Sequence, residues 1–286
     1  RGGRSPYDDR NPAWLMAGRE IRTPDGLRIA WSQPEVLLYD DDPFIRISYP
    51  DLIEEPDGSM FVTESQKTLA RVHEIPRPLL EGLFAQFTNA VVCTNGLVLA
   101  LPKQDDALPA ESPMPRLPEF IRRDPQPPYP GRRERTGFSV EMVVHPETAT
   151  LASSTVLFDS RTDDGRGLWI RWTEDDSVEL SMSDGRQTCS WRSRCGAVAR
   201  DRPTHLVATV DGGPNLIMFM VNGGLDDGGD ERQFGWGRFS PTLREANGAE
   251  RARLGAAVRL LRIYRCPLTT SEAVGNYRAW AATLGR

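Results

Sequence analysis

The chain has 286 residues, with 40 acidic against 35 basic side chains, a net charge of -5, 25 glycines and 23 prolines. That length fits one large domain or two ordinary ones, and no apolar run approaches the roughly 20 residues a membrane helix needs. A negative balance with no Lys/Arg block interleaved with aromatics argues against a nucleic-acid partner, and 4 cysteines fall short of a disulfide scaffold while remaining compatible with an oxidising compartment.

The opening RGGRSPYDDRNP is turn-rich, starts without Met and carries no leader, so a processed or truncated piece of a longer chain is expected. Residues 13–16 and 27–30 are short candidate strands around the turn TPDG, and WSQPEVLLY (31–39) is an entry segment followed by a strand. The stretch FIRISYPDLIEEPDGSMFVTESQK (44–67) is a hairpin, because Pro56-Asp57-Gly58-Ser59 supplies turn chemistry between two β-rich runs. A two-residue loop at Asp57-Gly58 sets Asp51 opposite Glu64, so two carboxylates share one face and require separation, a cation or a shared proton. One reading gathers Tyr49, Asp51, Glu64 and Arg46 into a polar site, with Arg46 and Lys67 as counter-charge; the other is a solvated sheet edge, since a one-residue slip exchanges every face. A strand at 71–75 and a short helix at 77–84, begun by Pro76 and Pro78, close the region, and strand spacing predicts four-stranded antiparallel units.

The phrases WSQPEVLLYDDDPFIRISYPDLIE, PDG and FVTE resemble the last blades of a sialidase-type β-propeller, over about the first 85 residues. The family's S-x-D-x-G-x-x-W box is absent, and further blades are expected upstream. The resemblance implies a glycoside hydrolase, secreted to the extracellular or periplasmic space, in which Tyr49, Asp51 or Glu64 acts as nucleophile, acid or base and Arg46 holds an anionic group.

From Asn89 the pattern changes. NAVVCTNGLVLAL is a strand pair or one bent strand, and residues 102–136 form a Pro-rich excursion without period. Evenly spaced strands follow at 138–145, 154–161, 167–173, 177–183, 187–193, 204–211, 216–223 and 257–264. Phe138, Val140, Met142 and Val144 share one face, and turn signals such as SDGR and DGGPN separate the runs, which predicts a β-sandwich or jelly roll. The fold class is therefore all-β, partial propeller blades over 1–88 followed by a sandwich over 89–286. The phrases GFSVEMVVHP, LFDSRTDDGRGLWIRW, RPTHLVATVDGGPNLIMFMVNGG and VRLLRIYRCPLTTSEAVGNYRAW, in this order, resemble a laminin-G-like, concanavalin A-like jelly roll. The likeness implies that the strand at 97–101 pairs with the closing strand and that Thr270 or Ser271 caps a final helix.

His73, His145 and His205 lie in separate strands with no metal-ligand spacing, and no nucleophile elbow, phosphate loop or dinucleotide fingerprint occurs. Cys93 and Cys266 fall in the two strands just paired and can meet, while Cys189 and Cys195 flank SWRSR; buried thiols are the alternative for all four. No cofactor is expected beyond a structural calcium, for which Asp159, Asp163 and Asp164 are the candidate ligands, with DDGGDE (226–231) as a second acidic loop; solvated turns are the competing reading. Of Trp169 and Trp172, three apart in one strand, one faces the core. Trp236, in the Gly-rich FGWGRF, and Trp191 are the candidate carbohydrate contacts, because an aromatic face matches the C–H face of a pyranose. The chain is thus read as the C-terminal part of a sialidase-like hydrolase whose jelly roll recognises glycans or packs on the enzyme. The alternatives are a non-catalytic carbohydrate- or protein-binding module and a purely structural domain.

Overall fold

The computed structural model describes residues 10–40, 42, 44–66, 69–102, 108–120, 136–145 and 154–284. Lys67 and much of the Pro-rich excursion lie outside the described residues. The chain is nearly all β and divides into two compact units, one running to Val91 and resuming over Thr269–Ala282, the other covering Val92–Leu268. The second unit is therefore an insertion within the first.

In the discontinuous unit, β1 (Ala13–Leu15) pairs with β4 (Glu35–Leu38), β2 (Gly18–Thr23) with β3 (Gly26–Trp31), and β5 (Ser48–Glu54), β6 (Met60–Gln66) and β7 (Leu69–Glu74) form a three-stranded sheet. The expected four-stranded units are not formed among the described residues; these sheets hold two, two and three strands. Helix α1 (Arg77–Ala85) opens after Pro76 with Pro78 in its first turn, where a missing N–H costs nothing. Among the unit's described residues one small cluster gathers Leu38, Ile47, Val62 and Ile75, with Leu79 and Leu80 of α1 packed against them, and Leu83 of α1 is also fully buried.

The β5–β6 turn departs from the two-residue loop. Gly58 N–H donates to the Glu55 carbonyl (2.9 Å), and Glu55 N–H to the Ser59 carbonyl (2.9 Å), with Gly58 at φ 82°. Pro56, its φ held near -65°, suits the first central position of a type I turn, and Gly58 supplies the left-handed residue that follows such a turn. That one extra loop residue slips the register: Asp51 stands opposite Thr63, and Glu64 falls on the other face.

The inserted unit is a β-sandwich of jelly-roll type. One sheet runs β17 (Gly224–Leu225), β16 (Leu216–Val221), β15 (Thr204–Asp211), β10 (Gly137–Val144), β20 (Val258–Tyr264) and β8 (Leu97–Leu101), with β18 (Gly237–Arg238) also on β16. The other runs β14 (Thr188–Arg192), β13 (Val178–Ser183), β12 (Gly167–Thr173), β11 (Ser154–Asp159), β19 (Arg251–Leu254) and β9 (Glu111–Pro113). Phe138, Val140, Met142 and Val144 point into the shared core with Leu168, Ile170, Leu180, Ile217 and Phe219, as period-2 alternation predicts. Trp172 is the core member of its pair and Trp169 faces outward under the Arg161 guanidinium, 4.7 Å from the ring. Strand β8 pairs with β20, Leu97 opposite Tyr264.

The closing helix α2 (Thr270–Leu284) is attached to the discontinuous unit through its N-terminus. Its cap is Thr269 rather than Thr270 or Ser271. Thr269 Oγ1 accepts the Glu272 N–H (3.1 Å) and Glu272 Oε2 accepts the Thr269 N–H (2.8 Å), a reciprocal capping box. Buried Glu35 accepts the N–H groups of Thr270 (3.0 Å) and Ser271 (2.6 Å), so a second carboxylate also meets the positive end of the helix dipole.

Candidate functional site

The four hairpin candidates do not converge. Tyr49 is 79% exposed at φ 49°, beside the bulge where β5 loses register, and Arg46 and Asp51 are exposed. Asp51 N–H donates to Thr63 Oγ1 (3.1 Å), on the face opposite Glu64. Glu64 is buried and takes hydrogen bonds from Arg71 Nη1 and His73 Nε2, both at 3.0 Å. Burial alone would raise its pKa, but the two bonds and their charges outweigh burial and hold it below the usual carboxylate value. Arg71 stands directly opposite Glu64 across β6 and β7, and His73 one diagonal away. This trio escaped the sequence reading because a β5-centred register directs Glu64 toward the wrong partner strand; counting outward from the following turn would have found Arg71.

The acidic loop after β11 is likewise divided. Asp159 is buried and bidentate with Arg161 (2.9 and 2.8 Å), and Arg253 Nη2 adds a third bond at 2.8 Å. These bonds overcome the upward push of burial and hold its pKa at about 2. Two guanidiniums occupy the position a cation would take. Asp163 is exposed, and Asp164 accepts from Thr162 Oγ1 within its own turn. No group of three or more His, Cys, Asp or Glu among the described residues is arranged for a metal ion.

The second acidic loop is folded around a different centre. Asp226 turns inward and accepts the Arg194 N–H (2.9 Å) and the Gly228 N–H (3.4 Å); burial pushes its pKa up despite those bonds. A Cβ on Gly235 would lie 1.7 Å from the Asp226 carbonyl oxygen, so the loop doubles back on itself there and only glycine fits. The returning strand β18 then adds to β16. Residues 226–238 thus pass between edge strand β14 of one sheet and β16 of the other.

Those residues assemble the aromatic cluster. Trp191, on β14, donates its Nε1–H to the Gly235 carbonyl (2.7 Å), packs against Gly237, and carries the Arg232 guanidinium over its ring at 4.8 Å. Arg232 also faces Asp226 Oδ2 at 3.6 Å, an ion-pair distance beyond hydrogen bonding. Trp236 stacks on Phe234 with centroids 5.0 Å apart and planes 22° from parallel, and Arg238, anchored to the Pro214 carbonyl (2.9 Å), lies 5.9 Å from the Trp236 ring. Phe234 and Trp236 are each half-buried, leaving aromatic surface at the edge of the sandwich. Trp191 and Trp236, both half-buried, are brought to this edge: Trp191 is held by Gly235, Gly237 and Arg232, and Trp236 stacks on Phe234. Phe234, Arg232 and Arg238 were missed, although F-G-W-G-R-F places an aromatic and an arginine two residues either side of Trp236.

One further polar cluster joins three strands. Glu141 Oε1 accepts Arg262 Nη1–H (2.6 Å) and His205 Nε2–H (3.0 Å), and Oε2 accepts the Tyr264 hydroxyl (2.8 Å). Burial, the largest influence, would raise the Glu141 pKa; His205, Arg262 and Tyr264 together hold it low. Arg262 is directly opposite Glu141, so the network crosses β15, β10 and β20. All its members except Arg262 are fully buried, which fits a role in holding strands together.

No protein-family model matches the sequence, and no curated protein matches it. Among solved structures, the binding domain of botulinum neurotoxin serotype G aligns with a TM-score of 0.42 at 8% identity, over 94% of this chain and 51% of that one. The CBM40 of the Ruminococcus gnavus IT-sialidase, bound to alpha2,6 sialyllactose, aligns with a TM-score of 0.39 at 11% identity, over 58% of this chain and 97% of that one. The leech intramolecular trans-sialidase aligns with a TM-score of 0.37 at 13% identity, over 65% of this chain and 28% of that one. The chain spans 37% of the length of the serotype D neurotoxin binding-domain chain. Scores and identities at this level assign no family, and the jelly-roll description rests on this chain's own two sheets.

Proposed function

We propose that the inserted sandwich is a non-catalytic carbohydrate-binding module whose ligand face is formed by residues 226–238 against β14. The observation that carries this reading is the stacked Phe234–Trp236 pair, half-exposed at the sandwich edge and flanked by the guanidinium of Arg238. A pyranose stacks its apolar C–H face on such a platform, while fixed guanidinium N–H groups donate to ring hydroxyl or carboxylate oxygens. Trp191, clamped between Gly237 and Arg232, holds the platform rigid, so little ordering cost falls on binding. A glycan ligand fits the expected extracellular or periplasmic setting. No helix among the described residues is long and apolar enough to cross a membrane.

The hydrolase reading draws no support from the hairpin. Glycosidase carboxylates flank one bond, whereas Asp51 and Glu64 lie on opposite faces and Glu64 is engaged by Arg71 and His73. The test is a glycan array followed by calorimetry on wild type and Trp236→Ala. Binding of at least one glycan, weakened about 10-fold or more by Trp236→Ala at unchanged melting temperature, is expected. A glycan bound equally well by the variant would move the site elsewhere, and an array with no hit would remove the carbohydrate reading. Aryl glycoside turnover lost in Glu64→Gln would restore the hydrolase.

A further inference from the structure

The chain enters the sandwich unit at Val92 and leaves it at Leu268, and a cysteine stands immediately inside each boundary, Cys93 and Cys266. Both lie just beyond the ends of paired strands β8 and β20, whose ladder runs to Leu97 opposite Tyr264 and continues through the Arg265 N–H to the Gly96 carbonyl (2.7 Å). The ladder delivers the two thiols to one place. Cys93 Sγ lies 3.9 Å and Cys266 Sγ 3.6 Å from the same oxygen, the carbonyl of Asn95. The sulfurs are therefore separated by no more than the sum of those distances, gathered about one carbonyl oxygen. Gly96 at φ 70° makes the bend, and a Cβ there would lie 2.6 Å from Cys266 Sγ. The other two cysteines have different surroundings: Cys195 donates to Asp175 (3.0 Å) and Glu231 (2.9 Å), which raise its pKa to about 12, and Cys189 is half-buried against the core.

We propose that Cys93 and Cys266, thiols in this structure, are a disulfide site that closes the two ends of the inserted unit on each other. The oxidant is a small-molecule disulfide such as oxidised glutathione. Cys93, the more exposed partner, loses its proton and attacks one sulfur, forming a mixed disulfide and releasing one glutathione thiolate. Cys266 loses its proton and displaces the second glutathione, leaving the Cys93–Cys266 bond. The two protons end on the two glutathione thiolates, and the two electrons lost by the cysteines reduce the oxidant. The closed loop contains nearly the whole sandwich, the length at which a cross-link most restricts the unfolded chain.

The full chain, equilibrated with oxidised glutathione, denatured in an alkylating agent and mapped by peptide mass, tests the site without any variant. A Cys93–Cys266 linked peptide is expected, with two titratable thiols left, Cys189 and Cys195. Reduction should lower the melting temperature by about 5–10 °C. That difference should vanish in Cys93→Ser and persist in Cys189→Ser. Four titratable thiols after oxidation, or a cross-link joining any other pair, would overturn the proposal. A Cys93–Cys266 bond whose reduction leaves the melting temperature unchanged would overturn its role as a clamp.

Discussion

The inserted sandwich and the discontinuous unit around it bury their apolar residues differently. In the sandwich, alternate residues of β10, β12, β13, β15 and β16 meet in one core, and among its described residues only Val98 and Val156 of the large apolar side chains are well exposed. The other unit buries Leu38, Ile47, Val62 and Ile75, yet exposes Leu27, Ile29, Trp31, Phe44, Leu52 and Val72, among others. Its two- and three-stranded sheets are too narrow to cover an apolar face. Two buried carboxylates join its elements: Glu35 holds a helix N-terminus and Glu64 ties β6 to β7. A unit of this kind depends on directed bonds, whereas the sandwich depends on packing.

Truncations should separate the two. Phe219→Ala in the sandwich is expected to cost about 3–5 kcal/mol in urea unfolding, and Leu38→Ala, in the smaller core, about 2 kcal/mol. Equal losses would break the comparison. Between those two in size, Glu141→Ala leaves Arg262 without its buried carboxylate and should cost about 3 kcal/mol, showing that the sandwich also contains an expensive polar network. Glu64→Gln should cost about 1–2 kcal/mol, read as earlier loss of the β5–β7 amides in hydrogen exchange, with sandwich amides unchanged.

The smallest effect is a pH dependence. Asp159 has a folded pKa of about 2 against an ordinary 3.8, so its contribution is complete above the unfolded value and is lost as pH falls through the folded one. With Arg161 and Arg253 partly exposed, that contribution is about 1 kcal/mol after solvent screening. Asp159→Asn should therefore lower stability by about 1 kcal/mol near neutrality and flatten the curve between pH 4 and pH 2, so that variant and wild type converge at low pH. A curve as steep as wild type would show that the two guanidiniums do not hold Asp159 ionised.

Much of the sandwich was legible in one dimension. The runs at 167–173 and 204–211 coincide with β12 and β15, and the Phe138-Val140-Met142-Val144 face is the core face, because side-chain alternation is local. Short strands with little apolar content, such as β9 and β19, were not legible; they exist because β11 presents a free edge for β19, which in turn pairs with β9. At the candidate site, Trp236 was singled out from its glycine neighbours, but the contacts of Trp191 were not legible, since they depend on Gly235 and Gly237 arriving from a different part of the chain.

By itself the sequence determined the all-β class, the longer strand runs of the sandwich and the prolines that open α1. The tertiary structure alone decided that Glu64 meets Arg71 and His73 instead of Asp51, that Asp159 is paired with arginines, and that the closing helix returns to the N-terminal unit. Alternation and turn residues act over a few positions and can be read in place. Register, ion pairing and domain insertion depend on which distant segment arrives, and one added residue in the turn around Gly58 was enough to carry Glu64 to the other face of its sheet.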